Sequence, residues 1–235
     1  MTGTVYLVPS PLGGEQLEEV IPHAVLLRMQ QLDYFIAENQ KTARALLKRI
    51  GMPQPLAFIR IERFDHNTPA AAIDSLLDPV AGGKNAGVVS EAGCAALADP
   101  GALLVRRAHE RGIRVAPLTG PSSIVLALIA SGLESQRFAF HGYLPVKPAA
   151  RDQVIRDIEL RSRKNRETQI FIETPYRNAK LLDALLSVCR PDTLLCIAAE
   201  LTLPGEEVRT RSISDWKQRK PALADRPTVF LLHAR

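Results

Sequence analysis

Through its first half the chain alternates short β-rich runs with helical ones, and that rhythm constrains the fold more than any other feature. Strand patterns are expected at residues 4–8, 34–37, 58–61, 86–89 and 115–118, with helical patterns at 20–30, 42–50, 70–77 and 101–111. Strand, helix and strand in succession build βαβ units, so a mainly parallel sheet covered on both faces is predicted. Gly51 and Gly112 each follow a helical run, where a glycine with positive φ closes the helix. After Thr119-Gly120-Pro121-Ser122-Ser123 the rhythm changes. A helix at 123–130, stopped by Ser131-Gly132, leads to strands at 136–143, 168–172, 194–198, 207–210 and 228–233. Helical runs at 153–161 and 178–188, and a brief one at 214–218, complete the pattern. Late strands that follow one another with little between them imply a mixed sheet in a second domain. The expected organisation is α/β throughout, with domains at 1–119 and 120–235. At 235 residues and 46% hydrophobic content the chain can fill the cores this needs.

Composition removes several function classes. The longest apolar runs, such as Ile124 to Ala130, fall well short of the roughly 20 residues that span a bilayer. The N-terminal residues carry no basic n-region and run directly into a strand pattern, so a cytoplasmic protein without a signal peptide is expected. Cys94, Cys189 and Cys196 are too few and too scattered for a disulfide framework or a four-ligand zinc site. The five histidines, His23, His66, His109, His141 and His233, stand apart, so no metal is expected. A net charge of +5 permits an anionic partner. Basic residues crowd 156–166 and 209–226, either as solvated helix faces or as an RNA-facing surface.

The loops narrow the chemistry. Neither G-x-x-x-x-G-K-[ST] nor G-x-G-x-x-G joins a strand to a helix, which disfavours nucleoside triphosphates and dinucleotides. Ser90 lacks the G-x-S-x-G elbow of a serine hydrolase. Instead an apolar run stops in a small-residue turn, Ser90-Glu91-Ala92-Gly93-Cys94, followed by Ala98-Asp99-Pro100-Gly101. In a parallel sheet the loops after successive strands gather along one edge, where α/β proteins bind ligands. Small residues let the backbone come close to a ligand, and the Glu91 and Asp99 carboxylates suit one with positive charge; taken singly, each loop is equally a turn or a helix cap.

Taken in order, these loops resemble the tetrapyrrole methylase superfamily, and within it the bacterial small-subunit ribosomal RNA cytidine 2′-O-methyltransferases. The resemblance rests on Gly3 to Gly13, Ser90-Glu91-Ala92-Gly93 with Ala98-Asp99-Pro100-Gly101, Gly120-Pro121-Ser122-Ser123 and Ser131-Gly132-Leu133. It continues through Gly142-Tyr143-Leu144-Pro145, Glu173-Thr174-Pro175-Tyr176-Arg177 and Glu200-Leu201-Thr202, and so covers nearly the whole chain.

The resemblance implies S-adenosylmethionine as cofactor in a cleft between two α/β domains, a homodimer, and ribosomal RNA or a ribosomal subunit as substrate. It assigns cofactor contacts to Pro11, Leu12, Ser90, Glu91, Ala92, Gly93, Cys94, Ser123, Ile124, Ile172, Glu173, Ala199 and Thr228. On the acceptor side Glu38 is the candidate base, and Lys41, Lys147 and Arg177 are candidate anion contacts. A phosphate-free cofactor with a sulfonium and an ammonium agrees with loops that carry carboxylates and no phosphate cradle. The chain departs from the family pattern at Glu38-Asn39-Gln40-Lys41-Thr42, where Glu-Asp-Thr-Arg is usual, and at Glu91, where Asp is usual. Cys94-Ala95-Ala96 replaces a Thr-Pro-containing piece, and the sequence stops at Arg235 without the C-terminal helical segment of longer members. The alternatives are a tetrapyrrole or other small acceptor, or a cofactor-binding module without chemistry.

Overall fold

In this computed structural model the described residues are 2–14, 17–223 and 225–234. The chain divides into two compact units, Met1–Ser122 and Ser123–Arg235.

In the first unit, strands β1 (Thr4–Val8), β2 (Tyr34–Ala37), β3 (Arg60–Arg63), β4 (Ala86–Val89) and β5 (Arg114–Pro117) form one sheet, in the order β3-β2-β4-β1-β5. Every pairing is parallel, with Leu7 opposite Val88 and Ile36 also opposite Val88. The intervening helices are α1 (His23–Gln30), α2 (Gln40–Ile50), α3 (Ala70–Ala81) and α4 (Gly101–Glu110). Because side chains alternate along a strand, each strand feeds two cores. Phe35, Ala37 and Val89 pack with Met29 of α1 and Leu47 of α2. Tyr34, Ile36 and Val88 pack on the other face with Leu77 of α3 and Leu104 of α4. This is the two-faced parallel sheet that the alternation predicts, and Gly51 and Gly112 have the expected positive φ of 71° and 65°.

The order of strands creates the place for a site. The connection after β1 runs to β2 by way of α1 on one face, while the connection after β4 runs to β5 by way of α4 on the other. β1 and β4 are neighbours, so their outgoing loops diverge and leave a crevice at their carboxyl ends.

The second unit opens with α5 (Ser123–Ser131), followed by β6 (Phe138–Tyr143), α6 (Pro148–Asn165), β7 (Thr168–Ile172) and α7 (Asn178–Val188). β8 (Leu194–Ala199), β9 (Glu207–Ser212), α8 (Ile213–Gln218) and β10 (Thr228–His233) complete it. Its sheet runs β6-β7-β10-β8-β9, parallel between β6 and β7 and antiparallel elsewhere, which is the expected mixed sheet. Phe171 and Phe230 stack with ring centroids 6.0 Å apart inside a core that includes Leu185 of α7 and Trp216 of α8. The Trp216 indole N–H donates to the Leu195 carbonyl at 2.8 Å, so this large ring is buried without an orphaned donor.

Some boundaries differ from expectation for visible reasons. Leu56–Phe58 is a 3-10 turn, not the start of a strand, and β3 begins at Arg60, where pairing with β2 sets the register. α1 starts only at His23, after Pro22, because a turn occupies the preceding residues. α3 runs on through Pro79, whose missing N–H falls close to the helix end, so only that one bond near the terminus is lost. α6 starts at Pro148 instead of Gln153, since proline at the first turn is preset for helical φ.

Candidate functional site

Two loops meet at the crevice. Ser10, just past β1, and Gly93, past β4, form an isolated antiparallel bridge: the Ser10 N–H donates to the Gly93 carbonyl at 2.9 Å, and the Gly93 N–H returns to the Ser10 carbonyl at 3.0 Å. The Ser10 hydroxyl also donates to the Ser90 carbonyl at 2.8 Å. Gly93 sits at φ 72°, a conformation that favours glycine. A third loop closes in because Gly120 has no side chain: a Cβ there would stand 2.1 Å from Pro9 Cβ. The Cys94 thiol points at the Pro121 carbonyl, 3.5 Å away, and its pKa is raised by burial, so it is not poised as a nucleophile.

The turn after Cys94 is strained and pegged. Ala96 and Ala98 carry positive φ of 67° and 62°, which costs an L-residue about 1–2 kcal/mol each. Asp99 offsets this, accepting from the Ala96 N–H at 3.0 Å and the Gly101 N–H at 2.7 Å. Burial raises its pKa against the opposing pull of those two bonds.

Two hollows flank the bridge and share one wall, Glu91. The first, about 210 Å³, has Pro11, Leu12, Leu46, Val89 and Ala92 along its sides, with Arg49 as its second charged residue. The second, about 540 Å³, is charged and lies beyond β2 and β3, with Glu38, Lys41, Arg63, Asp65 and His66 around it. Asn39 ties the two together: its Oδ1 caps α2 by accepting from the Lys41 N–H at 3.0 Å, and its Nδ2 donates to Glu91 Oε1 at 3.2 Å. An amide here serves helix cap and carboxylate at once. Burial raises the Glu38 pKa, and the nearby Glu91 and Asp99 carboxylates push it further up.

Within the second unit, Tyr143, Ile172 and Val229 pair in one row at a sheet end, and Thr228 lies opposite Ala199. Ala199 is buried, and so is Ile124 on α5, beside half-buried Ser123. Thr228 donates its hydroxyl to the Arg226 carbonyl at 2.9 Å, and the Arg226 guanidinium clamps Glu200 at 2.9 Å and Glu207 at 3.3 Å. Arg177 is held by Glu173 at 2.6 Å and lies over the Tyr176 ring, 5.6 Å from its centroid. Lys147 is exposed at the start of α6.

The structure therefore brings Pro11, Leu12, Ser90, Glu91, Ala92, Gly93 and Cys94 to one crevice, with Glu38 and Lys41 in the hollow next to it. It also shows Arg63, Asp65 and His66 there, which sequence reasoning missed. Only the rule that strand-end loops converge could have found them. Much of the late basic charge is paired internally: Arg161 with Glu167, Arg163 with Asp192, Arg209 with Glu207, and Arg211 over Trp216. Among the described residues no helix is long and apolar enough to cross a membrane, and no cluster of three His, Cys, Asp or Glu could hold a metal.

Comparison with known proteins agrees with this geometry. Residues 4–216 match the family model described as tetrapyrrole (corrin/porphyrin) methylases. "Ribosomal RNA small subunit methyltransferase I" of Haemophilus influenzae is 32% identical over 218 residues, covering 93% of this chain and 73% of that protein. Proteins of the same name from Xylella fastidiosa and Streptococcus pyogenes are 34% and 35% identical, covering 93% and 91% of this chain and 78% and 70% of their own lengths. Among solved structures, the methyltransferase CobJ superposes with a TM-score of 0.64 at 17% identity, covering 99% of this chain and 95% of that one. Cobalt precorrin-4 methyltransferase gives 0.60 at 15% identity, with coverages of 98% and 94%, a likeness of fold alone. By family match and by relatives spanning most of its length, the chain belongs to the tetrapyrrole (corrin/porphyrin) methylase family.

Proposed function

We propose that this chain is an S-adenosylmethionine-dependent methyltransferase whose acceptor is a ribose 2′-hydroxyl in small-subunit ribosomal RNA. The observation that carries the reading is the pair of bridged loops with a hollow of apolar walls on one side of Glu91 and a charged one on the other. The first hollow fits the cofactor by its chemistry: apolar walls for a nucleoside, a carboxylate for the cationic end, and no cradle for a phosphate it lacks. Pro11, Leu12, Ser90, Glu91, Ala92, Gly93 and Cys94 would hold it in the first unit. Within the second unit, Ser123, Ile124, Ile172, Glu173, Ala199 and Thr228 are the corresponding proposal. When bound, the cofactor supplies an activated methyl group on a sulfonium.

The residues of the chain then have three tasks. The bridged loops fix position, which matters because a direct displacement needs the acceptor oxygen in line. Glu38 takes the hydroxyl proton on its carboxylate, and its raised pKa makes it a better base than an ordinary glutamate. Lys41, Lys147 and Arg177 neutralise phosphates. An RNA acceptor is favoured over a tetrapyrrole because the acceptor-side hollow is lined by charge, whereas a tetrapyrrole calls for a roomy apolar cleft. The chain would act in the cytoplasm as a homodimer, a reading supported by the exposed apolar Ile129 and Phe138 and tested by its mass in solution.

The test is calorimetric titration with S-adenosylmethionine, then methyl transfer to unmodified small ribosomal subunits. Binding followed by label on RNA supports the reading. Binding without transfer to any RNA favours a different acceptor or a module without chemistry, and no binding overturns it.

A further inference from the structure

The charged hollow is built from the ends of three neighbouring strands: Glu91 follows β4, Glu38 and Lys41 follow β2, and Arg63 ends β3 with Asp65 and His66 just beyond it. Arg63 is not a loose surface arginine. Its Nη2 is 2.6 Å from Asp65 Oδ2, and the Asp65 carboxylate is itself buried, with 9% of the side chain exposed. Asp65 is fixed in turn: its Oδ1 accepts from the Asn67 N–H at 2.9 Å and from the Thr68 hydroxyl at 3.3 Å, while its own N–H donates to Thr68 Oγ1 at 2.9 Å. These bonds, led by the one from Asn67, hold its pKa below the usual carboxylate range, so it stays ionised. Yet the Arg63 side chain is 69% exposed, which leaves most of its fork of donors pointing to solvent. Lys41, which lines the same hollow, forms no ion pair among the described residues.

A guanidinium held by a buried acid, an exposed ammonium and an imidazole around one polar hollow match a ribose–phosphate backbone, which offers anionic oxygens and hydroxyls. We propose that Arg63, Lys41 and His66 form a subsite for the RNA backbone next to the modified nucleotide, with Asp65 as the residue that positions Arg63. This rests on the RNA reading above and adds where the RNA sits.

The experiment measures binding of deproteinised small-subunit ribosomal RNA to the full chain over a salt series, without cofactor, beside calorimetric affinity for S-adenosylmethionine. Arg63→Gln and Lys41→Gln should each weaken RNA binding and flatten the salt slope by roughly 0.7–0.9. His66→Ala should weaken binding with little change in slope, and Asp65→Asn should lower affinity, with Asp65→Glu restoring part of it. Cofactor affinity should stay unchanged in all of them. Lys84→Gln, a control paired with Asp33 before β4, should leave RNA binding as it was. Arg63 and Lys41 are exposed, so their exchange does not threaten folding. If the unsubstituted chain binds RNA but Arg63→Gln and Lys41→Gln bind with its slope and affinity, or Lys84→Gln matches their loss, the subsite is wrong and the RNA reading stands. If the unsubstituted chain does not bind RNA, the RNA reading fails and the subsite with it.

Discussion

Gly120→Ala tests whether the three loops at the crevice form one packed unit. The new Cβ would stand 2.1 Å from Pro9 Cβ and 2.7 Å from Pro9 Cγ. Carbon contacts become ordinary at 3.4 Å, so Pro9 must retreat by about 1.3 Å (3.4 − 2.1). Gly120 has no positive φ, so alanine adds no backbone strain of its own. Pro9 is buried and adjoins Ser10, which cannot move that far without straining its two bonds to Gly93. Overpacking costs about 1–3 kcal/mol, and breaking the bridge adds about 1 kcal/mol per bond. Gly51→Ala is the control: nothing lies within 4 Å of the added carbon, and only the φ of 71° is penalised, at about 1–2 kcal/mol. Urea unfolding followed by circular dichroism, with calorimetric S-adenosylmethionine affinity, reads both effects. We expect Gly51→Ala to lose stability at unchanged affinity, and Gly120→Ala to lose more stability and at least about tenfold in affinity. Equal affinity for Gly120→Ala and the unsubstituted chain would refute the packed-loop reasoning.

Other expectations follow from the same geometry. Glu91→Arg replaces the shared carboxylate by a cation and should abolish cofactor binding, while circular dichroism shows an intact fold; retained affinity would misplace the pocket. Glu38→Gln should cut the methyl-transfer rate by about 10²–10⁴-fold. In the unsubstituted chain the rate should rise with pH through the raised Glu38 pKa, above the ordinary carboxylate range, and the variant should lose that limb. For Asp99 the folded pKa lies above the unfolded one, so its stabilisation is full below the unfolded pKa and declines as pH rises through the folded pKa. Asp99→Asn should therefore cost less in urea unfolding at neutral pH than at acid pH, and a cost independent of pH would contradict the burial argument.

Much of the fold is legible in the amino-acid sequence, because it depends on local periodicity. β1, β2, β4, β7, α7 and β10 fall where the pattern puts them, since each is a continuous apolar run or a helical face between clear breaks. β3 is shifted because it is an edge strand of charged residues, Arg60 to Arg63, whose register comes from pairing with β2 and not from its own pattern. The site is legible in the same measure. Small-residue loops such as Ser90 to Cys94 announce themselves by composition, whereas Arg63 and His66 look like any solvent-facing side chains until the end of β3 brings them to the hollow that Lys41 also lines. The role of Asn39 in joining a helix cap to Glu91 is likewise a matter of three-dimensional reach.

The most direct measurement is transfer of isotopically labelled methyl from S-adenosylmethionine to unmodified small ribosomal subunits, with the product located by nuclease digestion and mass spectrometry. We expect label on a ribose 2′-oxygen of the small-subunit RNA, lost in Glu38→Gln and Glu91→Arg, and none on a tetrapyrrole offered in its place. Label on the tetrapyrrole alone, or cofactor binding with no labelled RNA, would contradict the account.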